Sequence, residues 1–108
     1  MSRELDLVVL RDHLRHFAAE RDWEPYHTPK NLAMAIAGEA GELAALFQWL
    51  TPEESASIMD QPGMALEIEN EIADVLQYLI RLADVLGVNL HEATWRKVSE
   101  NEGRFPLP

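Results

Sequence analysis

The 108-residue sequence is 47% hydrophobic and 26% charged, and its 19 acidic residues against nine Lys and Arg give a formal net charge of −10. So negative a chain repels nucleic-acid polymers, and the absence of cysteine removes disulfides, thiolate metal sites and thiol catalysis together. What remains open is a small anionic ligand met through divalent cations, with the metal held by oxygen or histidine.

The length suits one domain over residues 1–108, small enough that burial between subunits would be a natural supplement to its own core. Met1 to Arg15 mixes acids, bases and short apolar steps, which fits neither a signal peptide nor a transit peptide. Leu32 to Leu50 approaches membrane-spanning length but carries two glutamates and no flanking basic cluster, so a cytoplasmic protein is expected.

Leu7, Leu10, Leu14 and Phe17 recur at helical spacing and predict a first helix over about Glu4 to Arg21. Trp23 to Thr28, with Pro25, reads as a connector. Thr28 as N-cap and Pro29 at the first helical position start a second helix that runs to about Leu50. Thr51-Pro52-Glu53-Glu54 is a capping-box start for a short helix, which Gln61-Pro62-Gly63 ends. The next helix spans about Met64 to Leu86. Ile68, Ile72, Val75, Leu79, Leu82 and Leu86 form its seam, and Leu76, Ile80 and Ala83 form a second apolar stripe. Gly87 stops it, Asn89 and Glu92 cap a last helix over about Leu90 to Glu102, and Gly103 is read as its end. No strand candidate or internal repeat competes with an all-α reading: a four-helix bundle with a short extra helix, assembling as a homo-oligomer.

Glu39 and Glu42 are the only charged residues between Leu32 and Leu50, and at 100° per residue they share an arc with Leu32, Leu43, Leu46 and Leu50. They are therefore expected to face inward, where an unpaired carboxylate costs several kcal/mol or becomes neutral, so the pair calls for a cation. Glu71 and Asp74 repeat the three-residue spacing beside the seam of the long helix. Two such helices packed antiparallel would gather four carboxylates, and hard oxygen ligands favour Mg²⁺, with Mn²⁺ as a substitute. A di-iron carboxylate bundle would pair its acids with E-x-x-H on two helices, and neither pair here has that histidine. Gly38 and Gly41, poor helix formers, suggest close approach of a neighbouring helix.

Gly38-Glu39-Ala40-Gly41-Glu42-Leu43, with 28 residues between Glu42 and the following Glu71-Ile72-Ala73-Asp74, resembles the E-x-x-E and E-x-x-D motifs of the MazG-like all-α nucleoside triphosphate pyrophosphohydrolases. Phe17 through Glu24, His27, Pro29, Asn31, Phe47-Gln48-Trp49 and Asp74-Val75-Leu76 with Tyr78 are similar to the dCTP pyrophosphatase branch over nearly the whole chain.

The resemblance implies Glu39, Glu42, Glu71 and Asp74 as metal ligands. It also implies His27, Trp49 and Tyr78, with Trp23 beside them, around base and deoxyribose. Lys97, Asn101 and Arg104 would contact phosphates and nucleotide. Glu102 and Gly103 stand where the branch tends to be basic, and Phe105 where it has Tyr. Helical projection places Trp49 on the face of Glu42, about 10 Å along the axis, and puts Lys97, Asn101 and Arg104 on one stripe.

The activity implied is Mg²⁺-dependent hydrolysis of dCTP or modified dCTP to monophosphate and pyrophosphate. Water would attack the α-phosphorus, with Glu39 or Glu42 as base. Related readings are a dUTP or broad-specificity pyrophosphohydrolase. From another class comes a non-catalytic helical oligomerisation module, which the seam alone would satisfy and which leaves inward acids unexplained. The wide apolar arc of the long helix predicts a dimer or dimer of dimers, and the resemblance implies a tetramer, with His27, Lys97 or Asn101 as candidates for completing a partner's site.

Overall fold

The computed structural model describes residues 4–108; the first three residues of the N-terminal stretch read above against a targeting peptide lie outside them. Five α-helices follow one another as α1 (Leu7–Glu20), α2 (Pro29–Ala45), α3 (Pro52–Ala56), α4 (Pro62–Leu86) and α5 (Leu90–Arg104), with short 3-10 turns at Glu24–Tyr26 and Ile58–Asp60. Among the described residues no strand occurs and no helix is long and apolar enough to cross a membrane.

The caps carry most of the boundaries. Asp6 accepts from the backbone N–H groups of Val8 and Val9, so α1 starts three residues later than the apolar spacing suggests. Thr28 caps α2, Thr51 and Glu54 form the reciprocal capping box of α3, and Asn89 accepts from the Glu92 N–H at the start of α5. Gly87, at φ 73°, lets Val88 N–H return to the Ala83 carbonyl and closes α4.

Two ends differ from the sequence reading. α2 stops at Ala45, where Leu46 and Phe47 bond to the Leu43 and Ala44 carbonyls three residues back, and the chain proceeds to Leu50 in tight turns. α5 continues through Gly103 to Arg104, because a helix tolerates one interior glycine when nothing else ends it. α4 also begins earlier than Met64, with Pro62 at a position where its missing N–H costs nothing.

The antiparallel pair α2 and α4 is the main packing unit; α1 lies on α4, and the Ile58–Asp60 turn seats on α4 as well. Leu32, Ile58, Ile68, Ile80, Ala83 and Ala18 form the buried core. The expected seam of α4 is only partly buried, with Val75 and Leu82 at intermediate exposure. Ile68 belongs to the core, but Ile72 (54% exposed), Leu79 (43%) and Leu86 (54%) point away from it, and Ile80 and Ala83 of the second stripe point in.

α5 has no substantial packing on another helix of the chain. The radius of gyration is 16.8 Å, against about 13 Å for a compact domain of this length. A hollow of about 710 Å³ consequently opens between the start of α1, the end of α4 and the start of α5. Gly38 and Gly41 have open space where a Cβ would stand, so no neighbour among the described residues explains them.

Candidate functional site

Packing of α2 on α4 brings three of the four expected acids together. Glu39, Glu42 and Glu71 each place a carboxylate oxygen within 4.8 Å of the other two. Asp74 follows one turn after Glu71 on α4, close enough for its charge to act on Glu39. The four are not equally inward. Glu39 and Glu71 are half-buried, whereas Glu42 and Asp74 are exposed at the rim, because three-residue spacing turns each helix by 300° and leaves the second acid 60° from the first.

Glu39 Oε2 and Glu71 Oε2 are buried without a hydrogen-bond partner among the described residues. As ionised carboxylates neither can donate to the other; only by sharing a proton could they bond. That potential bond, with burial and the charges of Glu71 and Asp74, pushes the Glu39 carboxyl above the ordinary carboxylate range. A hard divalent cation among these oxygens would satisfy both orphaned atoms and reverse the repulsion, and the all-oxygen donor set suits Mg²⁺ or Mn²⁺.

A pocket of about 140 Å³ adjoins the acids, lined by Leu14, Phe17, Ala18, Trp23, His27, Asp74, Gln77, Tyr78 and Arg81. Asp74 belongs to both features. The end of α1 builds the aromatic wall: Asp22 adopts a left-handed conformation (φ 54°), Asp22 N–H bonds to the Ala19 carbonyl, and Trp23 N–H bonds to the Ala18 carbonyl. This closure turns Trp23 back onto Phe17, edge to face at 5.4 Å, and His27 tilts against Trp23 at 5.8 Å. The Asn31 amide then ties the connector to α2 by donating to the Tyr26 carbonyl.

Behind His27 lies a polar network that sequence reasoning missed. Arg81, 8% exposed, donates from Nε to His27 Nδ1 at 3.1 Å and from Nη1 to Asp84 at 3.2 Å. Arg15 of α1 grips the same Asp84 carboxylate with two donors. Arg15 foremost, and Arg81 with it, hold the Asp84 carboxyl below its usual range. Burial, and then the Arg81 charge, lower the pKa of His27. The available signal was Arg81 as the lone basic residue in an apolar stretch from Val75 to Ala83.

The remaining expected residues are not gathered within one chain. Trp49 is 86% exposed beyond the end of α2, so its helical projection from Glu42 fails. Lys97, Asn101 and Arg104 do lie on one helix, as the stripe requires, but α5 does not carry them onto α2 or α4. Lys97 pairs with Glu100 at 3.6 Å, and Arg104 lies over the Phe105 ring.

No protein-family model matches the chain. It is 42% identical over 106 residues to bovine (Bos taurus) dCTP pyrophosphatase 1 and 46% identical over 105 residues to the human (Homo sapiens) protein of that name, covering 98% and 97% of the chain. The chain spans less than two thirds of the length of these curated relatives, 63% and 62%. In structure it is similar to a pyrophosphatase from Archaeoglobus fulgidus, with a TM-score of 0.86, 41% sequence identity, and coverage of 99% of this chain and 98% of that one.

Proposed function

The chain belongs to the family of all-helical pyrophosphatases that includes these relatives, and from that premise we propose that it hydrolyses a deoxynucleoside triphosphate, dCTP or a modified dCTP, to monophosphate and pyrophosphate. The role is removal of surplus or modified nucleotides from the cytoplasmic pool, carried by a single domain over residues 1–108. The observation that carries the proposal is the convergence of Glu39, Glu42 and Glu71, with two buried carboxylate oxygens that no donor among the described residues reaches. The names of the relatives support dCTP as substrate.

Glu39, Glu42, Glu71 and Asp74 would hold Mg²⁺, or Mn²⁺ in its place. When bound, the cation neutralises the triphosphate and lowers the pKa of the attacking water. Glu39 or Glu42 accepts the water's proton on an oxygen outside the ligand set, the water oxygen bonds to the α-phosphorus, and the α–β bridging oxygen leaves with pyrophosphate. Trp23, His27 and Tyr78 receive the base next to Asp74.

The pocket has room for a single ring, well below the 300–1,000 Å³ typical of a whole ligand site. Completion by a second subunit is therefore part of the proposal: a homo-oligomer, dimer or dimer of dimers, in which Trp49 and the Lys97, Asn101 and Arg104 stripe close a partner's site. The outward seam of Ile72, Leu79 and Leu86 supplies apolar area for assembly. An oligomerisation module without catalysis would account for that seam but not for the converging acids.

A screen of the common and methylated triphosphates with Mg²⁺, each with and without excess chelator, tests the reading. Turnover of cytosine nucleotides that stops in chelator supports it. Full turnover in chelator, or none with any triphosphate, counts against it.

A further inference from the structure

We propose that Arg81 is a positioning residue that locks His27 as the neutral Nε2–H tautomer, so that His27 presents one hydrogen-bond donor, and no acceptor, to the occupant of the pocket. Arginine has five N–H donors and no acceptor, so the imidazole nitrogen that faces Arg81 Nε at 3.1 Å must carry a lone pair. A neutral ring with Nδ1 unprotonated holds its proton on Nε2. Among the described residues no protein acceptor takes that proton, and the ring lines the pocket beside Asp74 and Tyr78.

The lock is itself held in place. Arg81 is buried, and its charge is met by Asp84, whose side chain is 10% exposed and which Arg15 grips from α1. The i, i+3 spacing of Arg81 and Asp84 fixes the guanidinium along α4, and Trp23 limits tilting of the imidazole. The depressed basicity of His27 agrees with a ring kept neutral beside a cation.

The consequence for recognition rests on the reading that the pocket takes a nucleobase. A donor at Nε2 pairs with a carbonyl oxygen or an unprotonated ring nitrogen and cannot accept from an exocyclic amino group. His27 would therefore read an acceptor edge of the pyrimidine, and the amino group of cytosine would be read elsewhere. The Nδ1–H tautomer would set donor against donor at Arg81 and acceptor against acceptor at the base, which makes the contact discriminating.

Long-range ¹H–¹⁵N correlation of the imidazole rings, assigned with His27→Gln, tests the lock without any turnover. The expected result is a neutral His27 with the proton on Nε2 at neutral pH in the wild type. In Arg81→Met the ring should shift toward the Nδ1–H tautomer or a mixture, whereas Arg81→Lys, which keeps a donor, should restore part of the wild-type population. In parallel, KM for dCTP should rise about tenfold in Arg81→Met with kcat changed by less than about twofold, because the lost interaction is one of binding. A wild-type His27 protonated on Nδ1 overturns the proposal even if Arg81→Met fails to fold. So does a folded Arg81→Met that keeps the Nε2–H tautomer. Absence of dCTP turnover in the wild type would instead contradict the enzymatic reading and leave the NMR result to decide the tautomer.

Discussion

Glu39 on α2 and Glu71 on α4, the two helices that pack most extensively on each other, each bury an Oε2 atom that no donor among the described residues reaches. Without a cation the arrangement opposes folding. The Glu39 pKa is raised in the fold, so its ionised form is disfavoured there, and stability falls as pH rises above the ordinary carboxylate pKa of about 4.3. Glu39→Gln removes this contribution. In metal-free buffer the variant should melt higher than wild type at pH 7 and the gap should close toward pH 4. Mg²⁺ should raise the melting temperature of wild type and barely move the variant; identical metal responses would contradict this.

The Asp84 carboxylate balances both Arg15 and Arg81. Breaking a buried pair from one side typically costs about 3 kcal/mol, because the other charge stays buried. Asp84→Asn should lose about that much by denaturant titration at pH 7 and fixed protein concentration. The native pKa of Asp84 is depressed, so the stabilisation is complete above the unfolded value of about 3.9 and is lost as pH falls through the native one. The difference between variant and wild type should therefore shrink in acid. An unchanged midpoint at pH 7 would count against the network.

His27 adds a second pH dependence at higher pH. Burial and Arg81 depress its native pKa, so the unfolded chain takes up a proton first as pH falls. The stability it contributes is present above the unfolded value of about 6.5 and declines as pH drops through the native one. His27→Gln should flatten the fall of the melting temperature between about pH 7 and pH 5. Superimposable profiles would contradict the assignment.

Ile72, Leu79 and Leu86 are spaced seven apart on α4 and lie outward, and α5 finds no substantial packing within the chain. A homo-oligomer built over this seam should dissociate when Ile72 and Leu79 are both replaced by Glu, with loss of activity at low micromolar concentration. Light scattering reports the change in mass. A wild-type monomer that is stable and fully active at that concentration would refute the assembly.

The sequence was most legible where a local rule acts alone. Thr28-Pro29, Thr51 with Glu54, Gly87 and Asn89 are start and stop signals that depend on nearby backbone groups, and the structure uses each one. The E-x-x-E pair was legible because two glutamates in an otherwise uncharged apolar run need an explanation, and the E-x-x-D pair because it repeats that spacing beside an apolar seam. Periodicity failed where tertiary contact decides. It could not tell which residues of the two stripes on α4 the chain buries, and it projected Trp49 along a helix that ends at Ala45. Arg81 escaped notice because a buried guanidinium is recognised by its partners, and those partners, His27 and Asp84, lie 54 residues before it and three after it.

Product analysis on dCTP tests the central claim most directly. With Mg²⁺, wild-type protein should release dCMP and pyrophosphate in equal amounts, and Glu42→Gln and Asp74→Asn should each lower kcat/KM by at least about a hundredfold while remaining folded. Release of dCDP and orthophosphate, or wild-type rates in both variants, would contradict a four-carboxylate centre that cleaves between the α and β phosphates.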